Sequence, residues 1–507
     1  MKQLSSRLLL TSLTAFLVLC LFLCSLALHA RTDSSDQLGL LFQGHEDIGT
    51  VLHPGLLKYD PAAQAYTLSA SGENVWSTKD AYYFAWKEAS GDVSISADVL
   101  FVGEGKNPHR KAMLMIRQSL DPGSAYVDIA LHGVGLTSLQ YRTAKDQQTY
   151  QIEAAESMPT RLLLEKRGDY FYMSLGSGQN APHASGASIK VPISGNFYIG
   201  IGLCSHEKDV LETAVFSNVK IEPLQSVSQR KLYSALEILP IDSPERRVLY
   251  FAPDHFEAPN WSRDGSYLLF NQDGLIRKIS ASGGPIEQID TGFATRCNND
   301  HGIAPDGKSL VISDNSQDDH RSIVYTLPIA GGAPHRITRS APSYWHGWSP
   351  DGKTLAFVGE RNGDFDIYSI SVEGGEETRL TTAKGLDDGP EYSPDGKYIY
   401  FNSERTGQMQ IWRMQPDGSA QEQITKDEYN NWFPHISPDG KWMVILSYDK
   451  SVTGHPENKD VLLRLMSLPD GKITVIASLF GGQGTINVPS WAPDSKRFAF
   501  VSYQLAP

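Results

Sequence analysis

Polar and aromatic side chains recur at one position of a pattern that repeats along the second half of the chain. In each repeat this position lies a few residues before a turn rich in Asp and Gly. Histidine can act as a base near neutral pH or bind a divalent cation, and a nearby carboxyl group can act as an acid or a further ligand. The candidates for such catalytic or metal chemistry are His301, His346, His435, Asp300 and Asp388.

The same position also carries amides, further carboxylates and aromatic rings. Asn and Asp offer fixed donors and acceptors for sugar hydroxyls, and flat aromatic rings stack on sugar rings. The candidate ligand-binding residues are Glu257, Asn298, Asn299, Tyr344, Trp345, Asp387, Glu391, Asn430, Asn431, Trp432 and Asn487. The alternative is a structural role, in which these side chains cap neighbouring strands through hydrogen bonds to the backbone.

The turns that follow this position occur six times, about 44 residues apart. The last interval is longer because of an insertion over residues 451–459, which could cover the site or decorate the surface. Short alternating segments between turns are typical of four-stranded propeller blades. The last repeat has only two of its strands, and residues 234–240 and 246–251 would supply the others. We therefore predict an all-β chain in which residues 234–507 form a six-bladed β-propeller closed by both chain ends.

The repeated turn, written Trp-Ser-Pro-Asp-Gly-Lys at residues 348–353, resembles the signature of the TolB-like (PD40) β-propeller family. The resemblance covers roughly residues 230–505. It implies the propeller fold and a binding face at one mouth of the channel, where TolB itself holds a partner protein segment. The α/β segment that precedes the propeller in TolB is not evident in this sequence, which puts a Tol–Pal role in doubt.

Residues 37–222 alternate between apolar and polar residues without a helical period, which predicts an antiparallel β-sandwich. Residues 197–206 and 213–219 together resemble the end of concanavalin-like (laminin-G-like) jelly rolls. That resemblance implies a module that binds sugars or serves as a packing partner. Residues 223–233 are the predicted linker.

Residues 1–30 resemble an export signal, with Lys2 and Arg7 ahead of an apolar run. We expect cleavage near residue 30; the run is also long enough for a membrane anchor, and Cys20 or Cys24 could carry a lipid. The predicted location is periplasmic or extracellular. The other cysteines, Cys204 and Cys297, are expected to be buried free thiols.

The formal net charge of −13 argues against nucleic acid as a partner, because phosphate contacts need clustered Lys and Arg. The sequence favours an exported protein that binds an oligosaccharide or polysaccharide at the channel mouth. If it is an enzyme, we expect a polysaccharide lyase or glycosidase, with a divalent cation as a conceivable cofactor. Oligogalacturonate lyases, broadly related propellers, hold a metal with mouth histidines, but their pattern does not match residue by residue. The alternative is a non-enzymatic scaffold that binds an envelope protein segment.

Overall fold

The computed structural model describes residues 41–506 apart from 179, 226–229, 244, 318, 319 and 362. The predicted export signal at residues 1–30 and the start of the predicted sandwich lie outside the described part. Within it, the chain is built from β-strands alone, as the sequence predicts for fold class. The described residues contain no helix that is long and apolar enough to cross a membrane.

The first fifteen strands form two antiparallel sheets. They are β1 (Gly44–Ile48), β2 (Leu56–Asp60), β3 (Ala65–Gly72), β4 (Asn74–Trp76), β5 (Lys79–Ser90), β6 (Val93–Phe101), β7 (Lys111–Arg117), β8 (Tyr126–His132), β9 (Thr137–Arg142), β10 (Tyr150–Glu153), β11 (Arg161–Arg167), β12 (Tyr170–Gly176), β13 (His183–Lys190), β14 (Asn196–Cys204) and β15 (Glu207–Pro223). One sheet runs in the order β1-β5-β14-β7-β8-β9-β10, with β4 beside β5, and the other runs β13-β12-β11-β6-β15-β3-β2.

The two sheets share one hydrophobic core. Strand β11 shows why: Leu162 and Leu164 are fully buried, whereas the alternate residues, such as Leu163, are partly exposed, which is the period of two that a half-buried strand requires. Leu114 and Ile129 contribute to the same core from the facing sheet. The predicted pair of packed antiparallel sheets is therefore present, while the jelly-roll identity of this module stays a prediction.

The remaining strands belong to the second half of the chain. They are β16 (Lys231–Pro240), β17 (Glu245–Ala252), β18 (Phe256–Trp261), β19 (Tyr267–Gln272), β20 (Leu275–Ser280), β21 (Glu287–Gln288), β22 (Cys297–Ile303), β23 (Ser309–Asp314), β24 (Ile323–Pro328), β25 (His335–Arg336), β26 (Ser343–Trp348), β27 (Thr354–Arg361), β28 (Asp364–Ser371), β29 (Thr378–Arg379), β30 (Asp387–Tyr392), β31 (Ile399–Ser403), β32 (Gln410–Met414), β33 (Glu422–Gln423), β34 (Asn430–Ile436), β35 (Trp442–Tyr448), β36 (Lys459–Ser467), β37 (Ile473–Gly481) and β38 (Arg497–Ala506).

Strands β18–β37 form five separate four-stranded antiparallel sheets, which are the blades of the propeller. The prediction of six such blades is wrong in its count. The strands expected to close the ring do pair, in the order β17-β16-β38, but they continue the first N-terminal sheet, because β17 pairs in parallel with β10. A sixth blade would need a fourth, innermost strand beside β38. At that place there is only an isolated bridge between Trp491 and Phe498. Pro489 lies in that segment and has no N–H to donate to a ladder.

The repeated turns are held by side-chain hydrogen bonds. Ser349 Oγ donates to Asp351 Oδ1 at 2.7 Å and accepts from the Thr354 backbone N–H at 2.9 Å. Gly352 follows with φ of 70°, which favours glycine. These turns end the innermost strands, so the residues that begin the same strands lie at the opposite mouth of the channel.

Candidate functional site

A cavity of about 480 Å³ lies where the innermost strands begin. Strands β18, β22, β26 and β30 and the segment before the Trp491 bridge each contribute side chains. The lining residues are Glu257, Asn298, Asn299, Asp300, Asn315, Tyr344, His346, Val358, Phe365, Leu386, Asp388, Phe433, His455, Gln483 and Asn487. We call this space the mouth cavity.

An imidazole between two carboxylates forms the centre of the mouth cavity. His346 Nε2 lies 3.2 Å from Asp388 Oδ1 and 3.8 Å from Asp300 Oδ1. Asn487 Nδ2 donates to Asp300 Oδ1 at 2.6 Å, and the Gly389 backbone N–H donates to Asp388 Oδ1 at 2.7 Å. His346 and Asp300 are almost completely buried, so these contacts act in a medium of low dielectric constant.

The three groups shift one another's protonation. Burial would lower the pKa of His346, but Asp300 and Asp388 outweigh it and raise that pKa. Burial would raise the pKa of Asp388, yet its hydrogen bond to His346 and the charge of that ring lower it. Burial and the nearby Asp388 raise the pKa of Asp300 to about 6, although His346 opposes the shift. The cluster therefore favours a protonated imidazole flanked by carboxylates.

Glu257 adds a third carboxyl group to the wall. Burial, Asp300 and Glu457 raise the pKa of Glu257 to about 8, while the hydrogen bond from Asn299 works against the shift. Asn299 Nδ2 donates to Glu257 Oε2 at 3.3 Å. Glu257 is therefore largely protonated at neutral pH and becomes charged when a positive group approaches it.

Two amide oxygens in the wall have no hydrogen-bond partner among the residues that the structure describes. They are Asn315 Oδ1 and Asn487 Oδ1, and Asn487 is only 1% exposed. Buried polar atoms in folded proteins are nearly always paired. The free acceptors therefore indicate that a ligand or water completes this site.

The insertion at residues 451–459 covers one side of the mouth cavity. The ring of His455 contacts Trp432 with centroids 4.3 Å apart and Phe433 at 5.4 Å. Its Nε2 lies 3.6 Å from Asp388 Oδ2. Burial lowers the pKa of His455, although Asp388 opposes that effect. Of the two roles left open for the insertion, the structure favours the cover.

Half of the predicted site residues line the mouth cavity. They are Glu257, Asn298, Asn299, Asp300, Tyr344, His346, Asp388 and Asn487. The others lie elsewhere, and they are His301, Trp345, Asp387, Glu391, Asn430, Asn431, Trp432 and His435. Whether any of the sixteen binds a ligand stays a prediction; the structure gives their positions.

Alternation along β26 explains part of this division. Trp345 lies between Tyr344 and His346 and turns away from the cavity, where it is buried against Gly302. His301 is likewise fully buried inside its blade. Asp387 accepts two hydrogen bonds from Arg405, at 2.9 and 3.0 Å.

The fifth repeat is also occupied by structural contacts. His435 Nδ1 lies 2.5 Å from Glu391 Oε2, and its Nε2 contacts the Ile486 carbonyl oxygen, so both ring nitrogens are already engaged. Asn430 Nδ2 donates to the Val452 carbonyl at 2.9 Å and so holds the insertion. Asn431 belongs to a buried network with Arg464, and Trp432 supports His455.

The three candidate histidines therefore do not converge on one point. His346 faces the mouth cavity, whereas His301 and His435 are enclosed in their blades. No group of three His, Cys, Asp or Glu side chains suited to a metal ion occurs in the described part of the chain. A divalent cation held by these three histidines has no support in the geometry.

Seven lining residues were not predicted from the sequence. They come from strands β27, β28 and β34, from loops and from the insertion, and they are His455, Asn315, Val358, Phe365, Leu386, Phe433 and Gln483. The only signal for His455 was the longer last repeat. Val358 could have been found from strand pairing, because it faces Tyr344 in the β26–β27 register.

The insertion is fastened to the N-terminal module. Asp460, directly after it, accepts hydrogen bonds from Lys190 Nζ at 2.5 Å and from the Tyr170 hydroxyl. Gln504 Nε2 donates to the Gly186 carbonyl beside them. The N-terminal module therefore holds the base of the segment that carries His455.

Replacing Asp460 with Asn should loosen this segment. We expect amide hydrogen exchange over residues 451–459 to rise about two- to fivefold, because the partly exposed ion pair is worth less than about 1 kcal/mol. Mass spectrometry of peptides after deuterium labelling measures this. Asp417→Asn, an exposed carboxylate on another turn, is the control. Equal exchange in both variants would show that Asp460 does not hold the insertion.

These features define a class: a β-propeller with a ligand-sized cavity at one mouth of its channel, joined to a module of two packed sheets. The family model described as "TolB beta propeller domain" matches residues 339–504. An uncharacterised protein of Agrobacterium fabrum, Atu1656, is 53% identical over 252 residues, which are 50% of this chain and 86% of the relative. The chain belongs to the TolB-like β-propeller family.

Two further comparisons extend this result. A solved structure described as putative TolB from Agrobacterium tumefaciens is 52% identical, with a TM-score of 0.53, and the match covers 54% of this chain and 99% of that one. The Tol-Pal system protein TolB of Francisella tularensis is 28% identical over 125 residues, which are 23% of this chain and 27% of that protein. The chain thus spans about a quarter of this TolB.

Proposed function

We propose that the chain is an exported, non-catalytic binding protein whose mouth cavity takes a cationic group from an extended protein segment. The observation that carries the proposal is the charge of the wall. Asp300 and Asp388 line it as carboxylates, and Glu257 can ionise beside them when a cation approaches. The described lining contains neither Lys nor Arg. His346 offsets only part of this negative charge.

The shape of the wall suits a basic side chain. Val358, Phe365 and Leu386 form an apolar side that the carbon stem of Lys or Arg could contact, while the charged end would meet the carboxylates. A cavity of about 480 Å³ is in the range of small-ligand sites and cannot enclose a folded domain. An extended segment lying across the mouth with one side chain inserted fits these dimensions.

The family supports a protein partner. The Francisella relative carries the name Tol-Pal system protein, so that protein belongs to a protein system. Transfer of this property to the present chain is part of our proposal. Export, which the first thirty residues predict, would place it in the envelope or outside the cell.

The state of His346 argues for binding over catalysis. A general base must be free to accept a proton near neutral pH. His346 lies between two carboxylates that raise its pKa, which favours the ring that already holds a second proton. This disfavours His346 as the base of a lyase or glycosidase, and His301 and His435 do not line the cavity.

A glycan ligand remains the second candidate because of one observation. The amide oxygens of Asn315 and Asn487 are free to accept from hydroxyl groups, and the Tyr344 ring also lines the cavity. A neutral oligosaccharide that competes for the cavity would favour this candidate.

Asp388→Asn should weaken binding of a basic peptide about 10- to 100-fold, since a hydrogen bond to a charged group contributes about 1.5–3 kcal/mol. The full-length protein would first select ligands from a random peptide library displayed on phage. Fluorescence anisotropy then measures affinity for a selected peptide and for a copy in which Arg is replaced by neutral citrulline. Asp417→Asn is the control and should bind normally.

Two outcomes would contradict the proposal. One is selected peptides that carry no essential basic residue. The other is equal affinity in the Asp388→Asn and Asp417→Asn variants. Displacement of the peptide by neutral oligosaccharides would instead support a glycan as the ligand of the mouth cavity.

A further inference from the structure

A second cavity, of about 380 Å³, lies on the N-terminal module. It opens on the face of the first sheet that points away from the shared core. Its lining residues are Asn74, Trp76, His109, Lys111, His132, Leu136, Gln140, Gln151, Glu153, His206 and Glu245. We call it the sheet-face pocket. It is separate from the mouth cavity, with which it shares no lining residue.

His132 is the unusual residue of this pocket. Its side chain is only 4% exposed, and neither ring nitrogen has a hydrogen-bond partner among the described residues. The His109 ring contacts it edge to face with centroids 5.7 Å apart, and the His206 ring lies 5.7 Å from His109. Because buried polar atoms are normally satisfied, the two free nitrogens indicate a missing hydrogen-bonding group.

A lysine lies beneath these imidazoles. Lys111 pairs with His132 across β7 and β8, is 2% exposed, and donates to Asn74 Oδ1, Val75 O and Gln140 Oε1 at 2.9, 2.9 and 3.2 Å. All three acceptors are neutral. No carboxylate of the described residues lies within 4 Å of its ammonium group. Burial of this group is costly, and the buried carboxylates of Asp128 and Asp80 offset its charge only from beyond that distance.

The amides beside the lysine are already paired. Gln140 Nε2 donates to Gln151 Oε1 at 3.1 Å, and Gln151 Nε2 donates to Glu153 Oε1 at 3.0 Å. These hydrogen bonds connect Lys111, at the positive end of the pocket, with its acidic end at Glu153 and Glu245. Among the described lining residues, the buried polar atoms that lack a partner are therefore the two ring nitrogens of His132.

We propose that the sheet-face pocket binds a small organic anion through an oxyanion group, either a carboxylate or a phosphate. The oxyanion would accept hydrogen bonds from His132 and from His109 or His206, and its charge would offset that of Lys111. Trp76 and Leu136 would flank the carbon body of the ligand. A metal cation is disfavoured at the same place by the ammonium group.

The charges in the sheet-face pocket make the binding of an anion depend on pH. Burial, Lys111, His109 and His206 lower the pKa of His132 to about 3. Burial lowers the pKa of Lys111, and Cys204, Asp128 and Asp80 oppose that shift. A bound anion would stabilise the charged imidazoles and raise their pKa values, so binding should take up protons, and affinity should rise as the pH falls from 8 to 6.

Isothermal titration calorimetry on the full-length protein tests the site with three probes: inorganic phosphate, D-glucuronate and neutral D-glucose. We expect one of the two anions to bind with a 1:1 stoichiometry and glucose not to bind. Which anion binds identifies the source of the oxyanion. Titration in two buffers of different ionisation enthalpy measures the proton uptake.

His132→Gln and His109→Gln should each weaken the anion at least tenfold, and His183→Gln, an exposed histidine of the other sheet, should not. His109 is exposed, so its variant is expected to fold even if His132→Gln does not. Failure of both anions to bind, equal binding of glucose, or full affinity in His109→Gln and His132→Gln would overturn the proposal. Peptide binding at the mouth cavity is measured separately and would be unaffected.

Discussion

Glu237→Gln should lower the free energy of unfolding by about 3–5 kcal/mol, since it removes one partner of a buried ion pair. Glu237 on β16 and Arg246 on β17 are 1% and 2% exposed. The guanidinium group donates to both carboxylate oxygens at 2.7 to 3.0 Å, and Ser502 Oγ on β38 donates to Oε1 at 2.5 Å. The variant would leave the buried Arg246 charge without a counter-ion.

The double variant Glu237→Met and Arg246→Met provides the matched control. Replacing a whole buried ion pair by apolar side chains is often neutral, so most of the loss should be recovered. Urea unfolding followed by tryptophan fluorescence gives the stabilities of Glu237→Met, of Arg246→Met and of the double variant, beside that of Glu237→Gln. A double variant as unstable as the sum of the singles would mean that the pair itself contributes little.

The position of this pair explains why we expect a large effect. Strands β16, β17 and β38 join the two ends of the propeller, and β17 also continues the N-terminal sheet through β10. Loss of the pair therefore weakens ring closure and the contact between modules at once. We expect both halves of the chain to be destabilised together.

The propeller could be predicted because its turns repeat. Ser349, Asp351 and their equivalents fix each turn through local hydrogen bonds, so their sequence pattern reports structure directly. The pairing of β16 with β38 also followed from counting strands. The parallel pairing of β10 with β17 could not be predicted, since no turn or spacing marks a contact between distant strand edges.

The sequence predicted which strands form the site but not which of their side chains face the cavity. Repeat alignment located the starts of the innermost strands, but Trp345 turns away beside Tyr344, whereas residues 298–300, at a register shift, all line the cavity. Residues from outside the repeat, such as His455, had no partner in the alignment. His109, His132 and His206 are far apart in sequence and meet only because of strand order and register.

Glu257→Gln should change the pH dependence of stability. The wild-type carboxyl has a pKa of about 8 in the folded protein, above its usual value near 4.5. Between these values the folded state binds more protons than the unfolded state, so the free energy of unfolding falls as the pH rises. Glutamine cannot ionise and can still accept the hydrogen bond from Asn299. The variant should therefore be more stable than the wild type at pH 9, on the order of 2–4 kcal/mol.

Urea unfolding at pH 5, 7 and 9 gives this comparison. The two proteins should be similar near pH 5 and diverge as the pH rises, whereas the control Glu422→Gln, which alters an exposed carboxylate, should follow the wild type throughout. Parallel curves for Glu257→Gln and wild type would show that Glu257 ionises normally. The same group links stability to the proposed ligand: a cationic side chain near Glu257 favours its charged form, so peptide binding at pH 7 should release a proton from the wild type and not from Glu257→Gln. Calorimetry in two buffers measures that release.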